Sequence, residues 1–214
     1  MIRVDPKHWT ADFRLARALA EAYAASGFSD VAFFCAGDPD HPLERFGPLV
    51  GDEMLKYYPN VVGTSEQPVT ADTFAERVEE LFARFPGAFV IGIEAGASSS
   101  AYLGSIEVSD RDLRLGAAAG SRRVADLTVI AVLSVDEGEE ERMRRRLQSE
   151  QSVSMGLRAA AMEVGSDDES FGRPGAKFVP LRPEQITEAV VRRIADTVID
   201  GNLRLLSKIG KQPI

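Results

Sequence analysis

The chain has 214 residues, 44% of them hydrophobic and 27% charged, and its 25 basic and 33 acidic side chains give a net charge of −8. This acidity works against contact with a phosphate backbone, so we expect no nucleic-acid partner. The single cysteine, Cys35, excludes an intramolecular disulfide, and no segment approaches the ~20 consecutive apolar residues that span a bilayer. With no apolar signal core in residues 1–13, these features predict one cytoplasmic domain over residues 1–214 without membrane contact.

The first half of the chain alternates helical and strand patterns. The predicted helices cover residues 10–26, 46–57 and about 73–85, and the predicted strands cover 31–35 and 61–64. Gly27 ends the first helix, and Thr73 with Glu76 has the spacing of a capping box for the third. The apolar run at 31–35, which follows a helix and precedes a turn, is typical of a strand buried on both faces.

The second half of the chain supplies further strands, predicted over residues 88–93, 102–108 and 127–135. The order of all these elements favours a three-layer α/β/α sandwich with a mostly parallel sheet. Residues 136–150 have the charge order of a solvated helix, which could continue to residue 162. Residues 165–182 contain several glycines and prolines and predict a flexible loop or insert, and Pro183 begins a last helix.

Carboxylates follow both buried strands of the predicted sheet. Glu94 comes directly after the strand that ends at Ile93, and Glu44 lies in the loop after the strand that ends at Cys35. We expect these two strands to be parallel neighbours. The loop holds three more polar candidates: Asp38, Asp40 and His41. Since ligands of open parallel sheets bind outside the carboxyl ends of the strands, Glu44 and Glu94 are the predicted working groups.

Two carboxylates that face one pocket support more than one chemistry. They can share a proton and activate a water molecule, or they can hold a divalent metal ion with His41 as a third ligand. Structural roles stay open as well, with Glu94 as a loop or cap carboxylate and Glu44 as a first-turn acid. The sequence contains no HExxH, CxxC, GxGxxG or P-loop motif, and no GxSxG sequence surrounds the serines at 98–100. No cofactor beyond such a metal is therefore expected.

Six segments form an ordered set along the chain: FGPLVG (46–51), PVTADTFAERVEEL (68–81), FVIGIEAG (89–96), GSIEV (104–108), LGAAAG (115–120) and ADLTVIAVL (125–133). In this order, and with the strand that begins at Val31, the set resembles the YyaC-like family of sporulation proteins, which is related to the spore germination protease. The resemblance covers roughly residues 31–135, about half of the chain. It implies the α/β/α fold of the hydrogenase maturation proteases.

The resemblance also implies roles for the two glutamates. In the related proteases an acidic residue precedes the first glycine-containing helix, and a second acidic residue ends the next core strand. The matching positions here are Glu44, in ERFGP, and Glu94, in GIEAG, although the relatives more often have aspartate at both places. The maturation proteases also use a histidine from a later segment, and this sequence has none after His41.

The leading hypothesis is therefore a peptidase-like sporulation protein, a hydrolase whose carboxylate pair activates water on a peptide bond. Its partner would be a peptide or protein substrate, and its location the cytoplasm, including the spore-forming compartment. Two alternatives stay open: a hydrogenase maturation protease, and a non-catalytic protein that binds a partner or a peptide on the same fold. Assembly into a homo-oligomer is compatible with either.

Overall fold

The computed structural model describes residues 1–113, 123–138, 141–142, 145 and 178–211. Within these ranges the strands are β1 (Ile2–Val4), β2 (Val31–Cys35), β3 (Val61–Val62), β4 (Phe89–Ser98), β5 (Ile106–Ser109) and β6 (Leu127–Val135). The α-helices are α1 (Ala11–Ser26), α2 (Phe46–Met54), α3 (Phe74–Arg84) and α4 (Glu188–Lys208), and 3-10 turns cover Ser100–Tyr102 and Pro183–Gln185. None of the helices in these ranges is long and apolar enough to cross a membrane.

The strands join one sheet in the order β1-β5-β6-β4-β2-β3. β2, β3, β4 and β6 run parallel, β5 is antiparallel to β6, and β1 is antiparallel to β5. Cys35 pairs with Ile93 in parallel register, so the predicted adjacency of β2 and β4 is confirmed.

Helices cover both faces of this sheet. On one face α1, α2 and α4 pack against side chains such as Phe33 and Ile91. On the other face α3 packs against Phe34 and Val90. Neighbouring residues of a strand point to opposite faces, which explains why β2 is apolar at every position. The predicted α/β/α sandwich with a mostly parallel sheet is confirmed.

β4 is longer than predicted, and this changes the position of Glu94. The prediction ended the strand at Ile93, whereas β4 continues to Ser98 and stays paired with β6, with one register shift between Gly96 and Ala97. Its other neighbour, β2, ends opposite Ile93. Glu94 is therefore the first residue of β4 beyond β2, and the prediction that it ends a strand is wrong. The small residues after Glu94 carry little apolar signal, but pairing with β6 depends on backbone groups that every residue has.

Other elements also differ in length from the predictions. The strand predicted at 102–108 is a 3-10 turn followed by β5, and Gly104 between them has a positive φ of 88° that interrupts an extended chain. The strand predicted at 61–64 has only two residues, and the helix predicted at 46–57 ends at Met54. β1 is missing from the predictions because its three residues acquire their conformation by pairing with β5.

The starts of two helices also depart from the predictions. Thr73 and Glu76 do not form the predicted capping box, since no side chain caps α3 and Thr73 Oγ1 donates to the carbonyl oxygen of Pro68 (2.8 Å). Pro183 begins a 3-10 turn rather than the last helix, and α4 starts at Glu188.

Two predictions fall largely outside the described residues. Residues 137–138, 141–142 and 145 are helical, and the rest of the helix predicted over 136–162 is not described. The loop predicted at 165–182 is described only from residue 178, and residues 178–182 belong to no helix or strand.

Helix α2 lies directly on the backbone of neighbouring segments. A Cβ atom at Gly47 would stand 2.1 Å from the carbonyl oxygen of Ala36, and one at Gly51 would stand 1.8 Å from that of Gly63. Only residues without a side chain allow a helix to approach this closely. The packing fixes α2, and with it the loop that carries Glu44, against the end of β2.

We expect Gly51→Ala to lower the free energy of unfolding by about 3 kcal/mol, because the added methyl group meets rigid backbone. Gly201→Ala in α4 is the matched control, since the three atoms nearest to its Cβ all belong to the Leu15 side chain, the closest at 2.7 Å. The Leu15 side chain can shift, so a smaller loss is expected there. Urea denaturation measures both values, and an equal or milder loss for Gly51→Ala would contradict the backbone contact.

Asp30, just before β2, is the centre of a polar network at the amino end of that strand. Its carboxylate accepts hydrogen bonds from Tyr58 Oη (2.9 Å), Asn60 Nδ2 (3.2 Å) and the N–H of Val31 (2.9 Å), and it pairs with Lys211 Nζ (2.9 Å). Burial by itself would raise the pKa of Asp30, but the hydrogen bonds, with that from Lys211 the strongest, outweigh burial and hold this pKa below its ordinary value. The network ties the chain beyond α4 to the sheet.

The Asp30 network should make stability depend on pH. A carboxyl group whose pKa is lower in the folded state stabilises the fold above its unfolded pKa, and this contribution disappears as the pH falls through the folded value. We expect Asp30→Asn to lower the melting temperature at pH 7, and the gap to the wild type to narrow as the pH falls below the ordinary Asp pKa of about 3.9. Melting curves between pH 7 and pH 3 test this, and a gap that stays constant across the range would contradict it.

Candidate functional site

A pocket of about 360 Å³ opens at the carboxyl edge of the sheet, where β4 and β6 extend past β2. Its walls are the loop between β2 and α2, the protruding part of β4, the segment after β5 and the end of β6. The polar side chains that line it are His41, Glu44, Glu94, Arg111, Asp112, Ser134 and Asp136. The two glutamates predicted to work together therefore border one cavity.

β4 carries Glu94 into the wall of this pocket. Glu94 pairs with Ile130 of β6 and is only 7% exposed. On the other side of β4, the N–H of Ala36 still donates to the carbonyl oxygen of Ile93 (2.8 Å), but Ala36 also bridges to Val69 as the chain leaves β2. The departure of β2 at this point creates the space into which the pocket opens.

The loop between β2 and α2 carries Glu44 and is shaped by its own polar side chains. His41 Nδ1 accepts hydrogen bonds from the backbone N–H groups of Glu44 (3.2 Å) and Leu43 (3.4 Å). Asp38 Oδ1 accepts one from the N–H of Asp40 (2.9 Å). Glu44 itself is exposed, so its carboxylate stands at the open side of the site, whereas His41 and Asp38 hold the turns beneath it.

Only part of the predicted set meets in the pocket. Glu44, Glu94 and His41 line it, whereas Asp38 and Asp40 do not. Among the residues that the structure describes, no three His, Cys, Asp or Glu side chains form a group that could hold a metal ion. A metal site of Glu44, Glu94 and His41 therefore stays a prediction, and the His41 ring contacts its own loop through Nδ1.

Arg111 and Asp112 are pocket residues that the sequence does not indicate. β5 runs antiparallel to β6, so residues after β5 would be expected at the opposite edge of the sheet. After β5 the chain stays beside the amino end of β6, where Thr128 Oγ1 donates to the carbonyl oxygen of Arg111 (2.5 Å), and the Arg111 side chain reaches back to within 3.8 Å of Glu107. The Oδ1 atom of Asp112 fixes this segment by accepting hydrogen bonds of 3.0 to 3.1 Å from the N–H groups of Leu113, Val124 and Ala125. The one sequence signal that could have indicated Arg111 and Asp112 is the polar segment SDRD (109–112), which directly follows a predicted strand.

A buried charge cluster lies beside the pocket on the same face as Glu94. Residues that pair directly across neighbouring strands share a face of the sheet, and one such row contains Arg3, Glu107, Ile130 and Glu94. Glu107 is 2% exposed, and its Oε2 and Oε1 lie 3.1 Å from Arg3 Nη2 and 3.8 Å from Arg111 Nη2. Because a buried carboxylate requires a cationic partner, the two arginines stabilise Glu107, and Arg111 links the cluster to the pocket.

Glutamine substitutions should separate the roles of the two buried glutamates. Glu107→Gln removes the counter-charge of Arg3, so we expect a loss of about 2 to 3 kcal/mol in the free energy of unfolding. Glu94→Gln removes one negative charge from a pocket that Glu44 also lines, so we expect the protein to stay folded or to gain up to about 1 to 2 kcal/mol in the free energy of unfolding. Urea denaturation at pH 7 compares the variants, and a large loss for Glu94→Gln would make Glu94 a structural residue.

The fold and the pocket define a mixed α/β protein with a carboxylate-lined site at the edge of its sheet. The model of the family described as "Protein of unknown function (DUF1256)" matches residues 5–154, and the chain belongs to this family. The matched region contains every residue that lines the pocket, whereas α4 lies beyond it. No curated protein matches the chain at a significant level.

Proposed function

We propose that this protein is a peptidase-like hydrolase in which Glu44 and Glu94 activate a water molecule for attack on a peptide carbonyl. The observation that carries the proposal is that both glutamates line one pocket in unlike surroundings, Glu94 buried on β4 and Glu44 exposed on a loop. Carboxyl groups in different environments can hold different protonation states, which is what a general acid and a general base need.

The reaction follows from this division of roles. One glutamate, as a carboxylate, takes a proton from water while the water oxygen bonds to the carbonyl carbon. The other, protonated, gives its proton to the amide nitrogen as the carbon–nitrogen bond breaks. The products are a carboxylic acid and an amine, and no oxidant or further reactant is required.

The sequence resemblance supports the same assignment. Glu44 and Glu94 occupy the positions at which the germination protease and the maturation proteases have their two acidic residues, and both line the pocket. A role in sporulation, with a peptide or protein substrate in the cytoplasm of a spore-forming cell, belongs to this proposal. A hydrogenase maturation protease is less well supported, because His41 precedes both glutamates and no later histidine is present.

A non-catalytic peptide-binding protein is the second candidate. The observation that favours it is that several polar residues of the region serve the backbone. His41, Asp38 and Asp112 each accept hydrogen bonds from the main chain around the pocket. A site whose polar groups mainly shape loops could bind a peptide without cleaving it.

Hydrolysis can be tested with a mixture of unfolded proteins as substrate and mass spectrometry of the products. We expect Glu44→Gln and Glu94→Gln each to reduce cleavage at least about 100-fold, since each removes one member of an acid–base pair. The double variant should be little worse than either single one, because the residues act as a unit. Glu66→Gln is the control, since Glu66 is exposed and lies outside this pocket.

Retention of activity by either single variant would contradict the proposed pair. Absence of cleavage by the wild type, together with peptide binding that requires the pocket, would instead establish the non-catalytic alternative.

A further inference from the structure

Four consecutive residues of β4, from Glu94 to Ala97, line the pocket. β6 pairs with them on one side. On the other side β2 has already ended opposite Ile93, and within the described part of the chain no strand takes its place. This stretch of β4 is therefore a strand edge that faces a cavity.

The hydrogen bond made by Ile93 shows to which side of β4 each backbone N–H and carbonyl group along this edge points. The carbonyl oxygen of Ile93 accepts a hydrogen bond from the N–H of Ala36, so the polar backbone groups of Ile93 point toward the β2 side. Successive residues of a strand direct these groups to alternate sides. Those of Ala95 consequently point into the space that β2 vacates, while those of Glu94 point toward β6. Ala95 thus presents one N–H donor and one carbonyl acceptor to the pocket.

We propose that a peptide binds in this pocket as an added β-strand along β4, in line with β2. An extended peptide is the occupant that fits, because its donors and acceptors repeat at the spacing of a strand edge. The stretch of β4 beyond β2, from Glu94 to Ser98, is about 16 Å long at ~3.3 Å per residue, enough for four or five peptide residues. The side chains of this wall are small at Ala95, Gly96 and Ala97, so they leave the edge accessible.

This binding mode deepens the proposed hydrolase function, on which its catalytic part rests. A peptide residue opposite Glu94 would be its cross-strand neighbour, with Cβ atoms about 5 Å apart. The peptide backbone would thereby lie beside the Glu94 side chain, and Glu44 borders the same cavity from the loop after β2. Recognition through backbone groups would hold a scissile bond between the two acids with little dependence on peptide sequence.

The binding mode can be tested without turnover. The full chain carrying Glu94→Gln is used to select binders from a randomised octapeptide display library. The most enriched peptide is then synthesised with one N-methyl group at each position in turn, and affinities are measured by calorimetry. Since only alternate amides of an added strand donate to β4, we expect affinity to fall at least about tenfold at every second position and to change little at those between.

A variant of the protein tests the same contact from the other side. Ala95→Pro removes the N–H that would meet the peptide, and the ladder to β6 is preserved because that N–H points away from β6. We expect about tenfold weaker binding than in the control Ala95→Ser, which keeps the N–H, with similar melting temperatures for both. If Ala95→Pro does not fold, the N-methyl series decides the question alone.

The proposal is overturned if the library yields no binder, if the N-methyl series shows no alternation, or if folded Ala95→Pro binds as tightly as Ala95→Ser. The outcome is also distinct from that for hydrolysis. Alternating losses with no cleavage by the wild type would keep the added strand and reject the hydrolase. Cleavage without alternation would keep the hydrolase and reject the added strand.

Discussion

The geometry of the carboxyl edge depends on the contact between helix α2 and the backbone beneath it. Two glycines one turn apart, Gly47 and Gly51, allow the helix to rest against the carbonyl oxygens of Ala36 and Gly63. A side chain at either position would lift the helix away from the sheet, together with the preceding loop and Glu44. The chain also leaves the sheet at Ala36, which ends β2 and opens the space beside β4. One packing contact thus determines both where Glu44 stands and where the pocket can form.

Much of this arrangement could be predicted, since β2 and β6 have long apolar runs and both glutamates come after apolar runs of the sequence. The meeting of Glu44 and Glu94 follows from the rule that parallel strands share a carboxyl edge. The continuation of β4 past Glu94 could not be predicted. Residues 95–98 are small and lack the apolar pattern of a strand, and their pairing with β6 uses backbone groups that every residue has. The place of Arg111 in the pocket could not be predicted either, since it depends on a side chain that reaches back along β5 toward Glu107.

Two buried glutamates, Glu94 and Glu107, lie in one row of the sheet but in different surroundings. Glu107 is on β5, between β1 and β6 and beside the pocket, and two arginines compensate its charge. Glu94, at the matching position of β4, is also buried but borders a cavity that Glu44 lines as well. The first arrangement stabilises the fold, whereas the second places a carboxyl group in the wall of a pocket.

Helix α4 lies beyond the family match, yet both ends of its segment are tied to the surroundings of β2. Glu188 pairs with Arg45 (3.4 Å), and Lys211 pairs with Asp30 (2.9 Å). Between these ties, Ile194 and other apolar side chains of α4 fill the core against α1 and α2. A fragment cut at residue 154 would retain every pocket residue but expose this apolar surface to water, so boundaries drawn from the family match alone would give an aggregating product.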